Sequence, residues 1–459
     1  MGQITEFPFS KKIIPLAQLN ENNKNCFSIL LGKNGVGKSR LLSELVNNFS
    51  KPLFDKTSKY YTGIGNFIPS KIIAVSTSPF DKFPAPKKDL FSSSVYSYVG
   101  MRTTGLQASN QMALIVSAAK GLMVKYLESA QHENLAEIFG LLKLKPSLNF
   151  VFKLDIKPKL AVTLSNGAEV KFYARGIMPD FHDESSDFMS SFLDDLAYAK
   201  FKGESSQVQQ SIKDSLAIIW DQVEHQRGFF FKLDFDYSSK YRTGFISREV
   251  VSAVLTLLST NILKLYDLKI TKLDSPNLFD MSLRRASSGE QCLLVIMLGI
   301  AGHIRDNSLV LIDEPEISLH PSWQTRFMDL LINIFKNYED CHFIIATHSP
   351  QIVARLSQDN CFITTMDDNK LHSAMDFHNK SADFQLTELF ESPGIMNEYV
   401  SRISFTLLSK VKSQKELKVE DISSLSHLSS IKNLLEAGDP NIELISSVTE
   451  VCEFYASNN

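Results

Sequence analysis

One short stretch holds the residue types that bind an anionic phosphate group. The pattern Gly-x-x-x-x-Gly-Lys-Ser/Thr is matched by Gly32-Lys33-Asn34-Gly35-Val36-Gly37-Lys38-Ser39. An apolar run at residues 26–31 precedes it, and residues 40–45 follow at helical spacing. Glycines let successive backbone N–H groups surround phosphate oxygens, and a helix N-terminus favours the same anion. The stretch therefore predicts a phosphate-binding loop and disfavours the alternative, an empty glycine-rich turn.

The side chains of this loop have separate expected roles. Lys38 is expected to reach the β- and γ-phosphates of a nucleoside triphosphate, and the Ser39 hydroxyl to ligate Mg²⁺. The loop residues and the adjoining Arg40 are the candidate ATP-binding residues, with ATP and Mg²⁺ as the expected cofactors.

An acidic pair follows a second apolar run, at residues 309–312. Asp313 is expected to hold Mg²⁺, directly or through water, and Glu314 to orient and deprotonate the attacking water. An exposed acidic turn is the alternative, and the preceding phosphate-binding loop disfavours it.

A histidine ends the next predicted strand, at residues 341–347. His348 could donate a hydrogen bond to a γ-phosphate and so report its presence. A lone histidine is more often structural. Its place one strand after the acidic pair favours the functional interpretation.

The segment Ala286-Ser287-Ser288-Gly289-Glu290-Gln291 precedes an apolar helical run. It satisfies the capping-box pattern, which is common and uninformative. It also resembles the Leu-Ser-Gly-Gly-Gln signature of ABC-type ATPases, with Ser288, Gly289 and Gln291 matching and Glu290 replacing the second glycine. The resemblance implies a head-to-tail homodimer, or a higher oligomer built from such dimers, in which these three residues cap the γ-phosphate held by the other subunit.

Residues 313–321 read Asp-Glu-Pro-Glu-Ile-Ser-Leu-His-Pro, which resembles the branch of that family shared by the OLD-family and RecF-like ATPases. In the family, the glutamine at the end of the strand after the phosphate-binding loop contacts the metal and water. It is missing here, because the end of the predicted strand at 72–76 and the residues after it read Ser-Thr-Ser-Pro-Phe-Asp, at residues 76–81. The candidates to replace it are Ser76, Ser78 and Asp81.

Three further segments, at residues 78–83, 98–102 and 392–399, resemble PtuA, the ATPase family of Septu antiphage systems, and ATPases found with some retrons. The resemblance implies a small HNH nuclease partner (PtuB-like) and contact with nucleic acid through the complex. The sequence itself has no HNH-like cluster of histidine and cysteine.

Composition fits a protein without a membrane segment. The 459 residues carry a formal net charge of −3, and the 5 cysteines are scattered without metal-binding spacing. No basic and apolar leader opens the sequence, and the longest apolar runs are too short to cross a bilayer. We therefore expect a cytoplasmic protein, and the resemblance to antiphage ATPases implies a prokaryotic one. Its basic clusters are more often solvated surface than nucleic-acid contacts: Lys87-Lys88, Arg102, Arg284-Arg285, Lys410 and Lys412.

The predicted fold class is α/β, an ABC-type P-loop ATPase with a mixed or parallel sheet, a large α+β insertion and a helical C-terminal region. Its expected segments are 1–105 and 281–370 for the ATPase lobes, 106–280 for the insertion and 371–459 for possible partner docking. Predicted strands lie at 72–76, 150–154, 160–164, 170–173 and 228–235. Predicted helices lie at 107–128, 187–200, 207–220, 247–265, 386–390, 403–411, 425–435 and 442–454.

Three alternatives stay open. An OLD-type nuclease would need a TOPRIM metal site, for which Asp367-Asp368 is the available pair. A transporter ATPase is disfavoured by the long insertion, and a DNA-repair ATPase of the SMC type by the lack of heptad repeats.

Overall fold

The computed structural model describes most of the chain. Its described residues are 3–19, 24–50, 67–85, 95–102, 111–128, 133–157, 159–163, 169–173, 181–182, 188–223, 229–237, 246–273, 280–283, 288–353, 356 and 360–457. Residues 164–168, which include the end of the strand predicted at 160–164, and the basic pairs Lys87-Lys88 and Arg284-Arg285 lie outside them.

Strands and helices alternate along these residues. The strands are β1 (Glu6–Phe9), β2 (Lys12–Pro15), β3 (Cys26–Leu31), β4 (Lys71–Ser76), β5 (Tyr96–Gly100), β6 (Leu144–Leu154), β7 (Lys159–Thr163), β8 (Glu169–Tyr173), β9 (Phe230–Asp236), β10 (Leu263–Lys272), β11 (Asp280–Ser282), β12 (Ser308–Asp313), β13 (His342–Ala346), β14 (Cys361–Thr365) and β15 (Lys370–Ser373). The α-helices are α1 (Lys38–Phe49), α2 (Gln111–Glu128), α3 (Glu133–Leu141), α4 (Phe188–Phe192), α5 (Asp195–Lys202), α6 (Ser206–Trp220), α7 (Arg248–Ser259), α8 (Ser288–Ala301), α9 (Pro321–Ile334), α10 (Pro350–Val353), α11 (Ala382–Glu388), α12 (Glu398–Gln414), α13 (Val419–Lys432) and α14 (Pro440–Ser457). Short 3₁₀ turns lie at Pro315–Ser318 and Ala374–Phe377.

The chain forms two compact units. The first unit comprises Met1–Pro69, Leu311–Ile332 and Tyr338–Asn459, and the second comprises Ser70–Val310 and Asn333–Asn337. The four segments expected from the sequence stay a prediction.

A mostly parallel sheet organises the first unit. Its strand order is β15-β14-β3-β13-β12. The strands β13 and β14 both run parallel to β3, and β15 is antiparallel to β14. Every residue of β3, β13 and β14 is buried, as the continuous apolar runs of a sheet covered on both faces require. The carboxyl ends of these strands therefore meet at one edge.

The C-terminal helices have a core of their own within the first unit. Helices α12, α13 and α14 pack around buried Val400, Leu407, Val411, Leu428, Ile431, Ile445, Val448 and Cys452. The amphipathic helices predicted for this region are confirmed, with bounds that differ by a few residues.

The second unit contains further strands and helices. Strands β4 and β5 are parallel, β11-β10-β6-β9 form an antiparallel sheet, and β7 and β8 form an antiparallel pair. The predicted strand at 150–154 belongs to β6, which pairs with β9 and β10. Across the described helices, no span combines the length and apolarity that a bilayer crossing requires.

Two predicted helices are wrong in extent. The helix predicted over 247–265 ends at Ser259, because Asn261 turns the chain with a φ of 58° and β10 begins at Leu263. The helix predicted over 187–200 is instead α4 and α5. The side chain of Asp194 caps α5 by accepting the Ala197 N–H at 2.7 Å, and this starts a new helix.

Candidate nucleotide-binding site

The phosphate-binding loop joins the carboxyl end of β3 to the start of α1. Gly35 and Gly37 have φ values of 83° and 107°, which glycine adopts without strain. A Cβ atom on Gly37 would lie 3.1 Å from the Phe9 ring, so glycine also allows a close approach there. The predicted strand-loop-helix arrangement is thus present, with the N–H groups of the first turn of α1 at the loop's end.

Lys38 lies inside this loop. Its Nζ donates to the carbonyl oxygen of Gly32 at 2.7 Å and to that of Lys33 at 3.3 Å. Burial lowers the pKa of Lys38, while the carboxylates of Glu314 and other acidic residues oppose that shift. The ammonium is held where a phosphate could replace the carbonyl contacts.

Ser39 and Asp313, the two predicted magnesium ligands, contact each other. The Ser39 hydroxyl donates to Asp313 Oδ1 at 3.0 Å. Two adjacent ligands of octahedral Mg²⁺, each about 2.1 Å from the metal, are about 3.0 Å apart, so the pair fits the ion. No group of three or more His, Cys, Asp or Glu side chains suited to a metal occurs among the described residues. Mg²⁺ usually takes most of its ligands from phosphates and water rather than from protein side chains.

His348 lies between Glu314 and Lys38. Its Nε2 is 3.5 Å from Glu314 Oε1, and its Nδ1 is 3.4 Å from Lys38 Nζ. Burial, with the nearby Lys38 charge, lowers the pKa of His348, which favours a neutral ring at pH 7. Because Nδ1 faces an ammonium, the proton of the neutral ring belongs on Nε2, toward Glu314.

The backbone brings Glu314 to this position. The Glu314 N–H donates to the Ala346 carbonyl at 2.9 Å, which joins the end of β12 to the end of β13. Glu314 has a φ of 46°, an unusual value for a non-glycine residue and one often found at functional turns. Its carboxylate is partly exposed, so water can reach it.

Arg40 packs on the N-terminal hairpin formed by β1 and β2. Its guanidinium lies 4.7 Å from the centroid of the Phe9 ring and donates to Ser10 Oγ. Phe9 is buried beneath it and belongs to the core.

The sequence analysis named Asp367 only as part of a possible TOPRIM pair and did not predict that its carboxylate contacts the phosphate-binding loop. Asp367 Oδ2 accepts the backbone N–H of Lys33 at 3.0 Å. Asp367 follows β14, whose carboxyl end lies beside that of β3, since the Met366 N–H donates to the Leu31 carbonyl at 2.8 Å. The only available signal was an acidic residue directly after a buried strand.

Asp81 is held in a buried ion pair and is not free to replace the missing glutamine. The Tyr98 hydroxyl donates to Asp81 Oδ2 at 2.7 Å, and Arg102 donates to both carboxylate oxygens. Ser76 Oγ accepts the Ser78 N–H at 3.1 Å. Because Asp81 contacts both Tyr98 and Arg102, the segments 78–83 and 98–102 form one cluster of the second unit. Arg102 thus has a structural partner.

Lys410 likewise has structural partners. It pairs with Asp421 at 2.7 Å. Of the basic side chains noted in the sequence, Arg102 and Lys410 are therefore paired with acidic residues within the fold.

The signature-like residues begin a helix. Ser288 is the first residue of α8, and Gly289 and Gln291 are buried in its first turn. They belong to the second unit, whereas the residues around Lys38 belong to the first. Their predicted contact with a partner's nucleotide stays a prediction.

A family model and several curated relatives match parts of this chain. A family model described as "AAA domain, putative AbiEii toxin, Type IV TA system" matches residues 178–354, a span that contains the signature-like segment, Asp313, Glu314 and His348. That span is thus similar to an AAA domain. The predicted α/β class is confirmed.

Three curated relatives match shorter parts of the chain. The Retron Ec83 probable ATPase of Escherichia coli is 32% identical over 112 residues, which cover 22% of this chain and 20% of the relative. The Retron Vc95 probable ATPase of Vibrio cholerae serotype O1 biovar El Tor is 26% identical over 153 residues, covering 30% and 29%. Protein ea59 of Escherichia phage lambda is 37% identical over 87 residues, covering 19% and 16%. The chain thus spans less than a third of the length of these relatives.

Proposed function

We propose that this protein binds and hydrolyses ATP as the regulatory subunit of a prokaryotic defence complex. The observation that carries the proposal is the convergence of Lys38, Ser39, Asp313, Glu314 and His348 at one edge of the first unit's sheet. The similarity to retron probable ATPases supports the defence setting.

Each of these side chains has a separate role in phosphoryl transfer to water. Mg²⁺, bound by Ser39 Oγ and Asp313, would neutralise charge on the phosphate oxygens. Lys38 and the loop N–H groups bind the same phosphates. Glu314 accepts a proton from the attacking water as the new bond to the γ-phosphorus forms and the bond to the β–γ bridging oxygen breaks. His348 donates from Nε2 and holds Glu314 or a phosphate oxygen in place.

The proposal includes a head-to-tail dimer closed by nucleotide. The resemblance of Ser288, Gly289 and Gln291 to the ABC signature supports it, as does their place in the first turn of α8, where a helix N-terminus favours an anion. A Glu314→Gln variant, which should hold ATP without hydrolysing it, is expected to sediment as a dimer with Mg²⁺ and ATP. A monomer under those conditions would contradict the dimer and leave ATP binding standing.

The nuclease activity is proposed to reside on a partner, a small HNH protein. Resemblance to PtuA-type ATPases supports this, together with the state of the alternative metal pair. Asp367 accepts the Lys33 N–H, and Asp368 pairs with Lys370 at 2.7 Å, so neither carboxylate is arranged as a TOPRIM-type site. Affinity pulldown with the full chain tests the partner, because recovery of a small HNH protein would support it. Metal-dependent DNA cleavage by the single purified chain would overturn it.

Release of phosphate from ATP is the test of the catalytic proposal. The wild type should hydrolyse ATP with Mg²⁺, and Glu314→Gln should be slower by about 100-fold, because the general base is lost. An exposed matched control, Glu443→Gln on α14, should keep the wild-type rate. Equal rates for the wild type and Glu314→Gln would remove Glu314 from this role.

A further inference from the structure

Glu316 directs its carboxylate toward the strand end that carries His348. It lies in the 3₁₀ turn Pro315–Ser318, two residues after Glu314. Its Oε1 accepts the backbone N–H of His348 at 2.5 Å. The Glu316 carboxylate therefore holds the backbone N–H of His348, and with it the position from which the His348 side chain extends.

The burial of this carboxyl group is unusual. Its second oxygen, Oε2, is buried and has no hydrogen-bond partner within the described part of the chain. Burial raises the pKa of Glu316, and the hydrogen bond from His348 opposes that shift. Burying an incompletely paired carboxyl group costs stability. The buried position of Glu316 therefore needs an explanation, and a role in the site supplies one.

A glutamine on α9 holds the same turn and the same strand end. Gln324 Nε2 donates to the carbonyl oxygens of Leu319 at 3.0 Å and Glu316 at 3.4 Å. Gln324 Oε1 accepts the Ser349 hydroxyl at 2.7 Å. The turn after Glu314 and the residues around His348 are thus tied together at two points.

We infer that Glu316 is a positioning residue for hydrolysis, which holds His348 between Lys38 and Glu314. The inference rests on the proposed ATPase function of the same site. Without the Oε1 contact, the His348 backbone loses its only described acceptor on that turn, and the ring can leave the 3.5 Å contact with Glu314. Small displacements of a positioned group cost large factors in rate while substrate binding by the phosphate loop persists.

The test compares Glu316→Ala, which removes the acceptor, with Glu316→Gln, which keeps an oxygen for the His348 N–H. Glu443→Ala is the exposed control in the same unit. We expect Glu316→Ala to lower kcat by about 10- to 100-fold with KM for ATP changed by less than about 3-fold. Glu316→Gln should retain most of the wild-type kcat. A wild-type kcat in Glu316→Ala, or a loss confined to KM, overturns the inference.

A double variant separates positioning from general damage. Because Glu316 is inferred to act through His348, Glu316→Ala combined with His348→Ala should be no slower than the slower single variant. Multiplying losses would show that Glu316 acts independently of His348 and would contradict the inference.

Hydrogen exchange distinguishes this inference from the proposed function, since it needs no turnover. In the nucleotide-free protein the His348 amide should be protected, and Glu316→Ala should accelerate its exchange while Glu316→Gln and Glu443→Ala do not. Equal exchange in all four proteins overturns the inference even if ATP is hydrolysed. Absence of hydrolysis by the wild type, with the exchange pattern as expected, would count against the proposed function instead.

Discussion

His348 Nε2 lies 3.5 Å from Glu314 Oε1, and the two residues follow neighbouring strands of the first unit's sheet. This contact couples a histidine that can sense the terminal phosphate to the carboxylate proposed as the base. Replacing His348 with alanine should lower kcat by about 10- to 100-fold, because general-base catalysis depends on the orientation of Glu314. ATP affinity should change little, as Lys38 and the loop remain. Steady-state phosphate release checks this, and a variant with unchanged kcat would show that His348 is structural.

The Asp367 carboxylate should weaken the binding of ATP to the phosphate-binding loop. Asp367 accepts the Lys33 N–H and lies close enough to Lys38 to oppose the lowering of that lysine's pKa. Asp367→Asn keeps an oxygen for the N–H and removes the negative charge. We expect ATP to bind about 3- to 10-fold more tightly, the effect of about 1 kcal/mol of relieved repulsion.

Calorimetric titration with ATP and Mg²⁺ measures this change. Asp368→Asn is the matched control, because Asp368 pairs with Lys370 and should leave the affinity unchanged. Weaker binding by Asp367→Asn would show that the Asp367 contact shapes the loop more than its charge opposes the phosphates.

The Asp81–Arg102 pair should matter for stability. Removing one partner of a buried pair leaves the other charge uncompensated, so Asp81→Asn should lower the free energy of unfolding by about 2–3 kcal/mol, allowing for the partial exposure of Arg102. Asp195→Asn breaks the exposed pair with Lys157 in the same unit and should cost at most about 1 kcal/mol. Thermal unfolding of both variants makes the comparison, and equal Tm values would contradict it.

His342 gives the first unit a predictable loss of stability in acid. It is buried, its Nδ1 accepts the Ile4 N–H at 3.1 Å, and its Nε2 is 2.8 Å from Ser28 Oγ. Burial lowers its pKa to about 3. The unfolded chain binds the proton near pH 6.5, so stability is fully present above that pH and falls as the pH drops toward 3.

Denaturant titrations at pH 6.5 and 5 measure this effect. For this residue the expected loss is about 1.6 kcal/mol over that interval. His342→Asn should be less stable than the wild type at pH 7 and should lose less stability on acidification. An identical pH slope in both proteins would contradict the assignment.

The sequence predicts the site better than it predicts its supporting contacts. Lys38, Ser39, Asp313 and Glu314 are set by local patterns at strand ends, and the sheet brings them together. Two supporting contacts use backbone donors. Asp367 accepts the Lys33 N–H, and Glu316 accepts the His348 N–H. A backbone N–H is present at almost every residue, so no side-chain pattern reveals these contacts.

The errors in secondary structure have a similar cause. Residues 260–265 continue the apolar character of α7, and only the turn at Asn261 separates the helix from β10. The side chain of Asp194 starts α5 through a cap that a helical pattern over 187–200 does not show. Tertiary pairing and local caps decided these boundaries.

Equilibrium binding of ATP with Mg²⁺ tests the central claim most directly. The wild type and Glu314→Gln should both bind labelled ATP, whereas Lys38→Ala should bind at least about 10-fold more weakly, because the loop loses its ammonium. Chelation of Mg²⁺ should weaken binding by the wild type as well. Undetectable binding by the wild type, or equal binding by Lys38→Ala, would contradict the claim that this sheet edge is an ATP site.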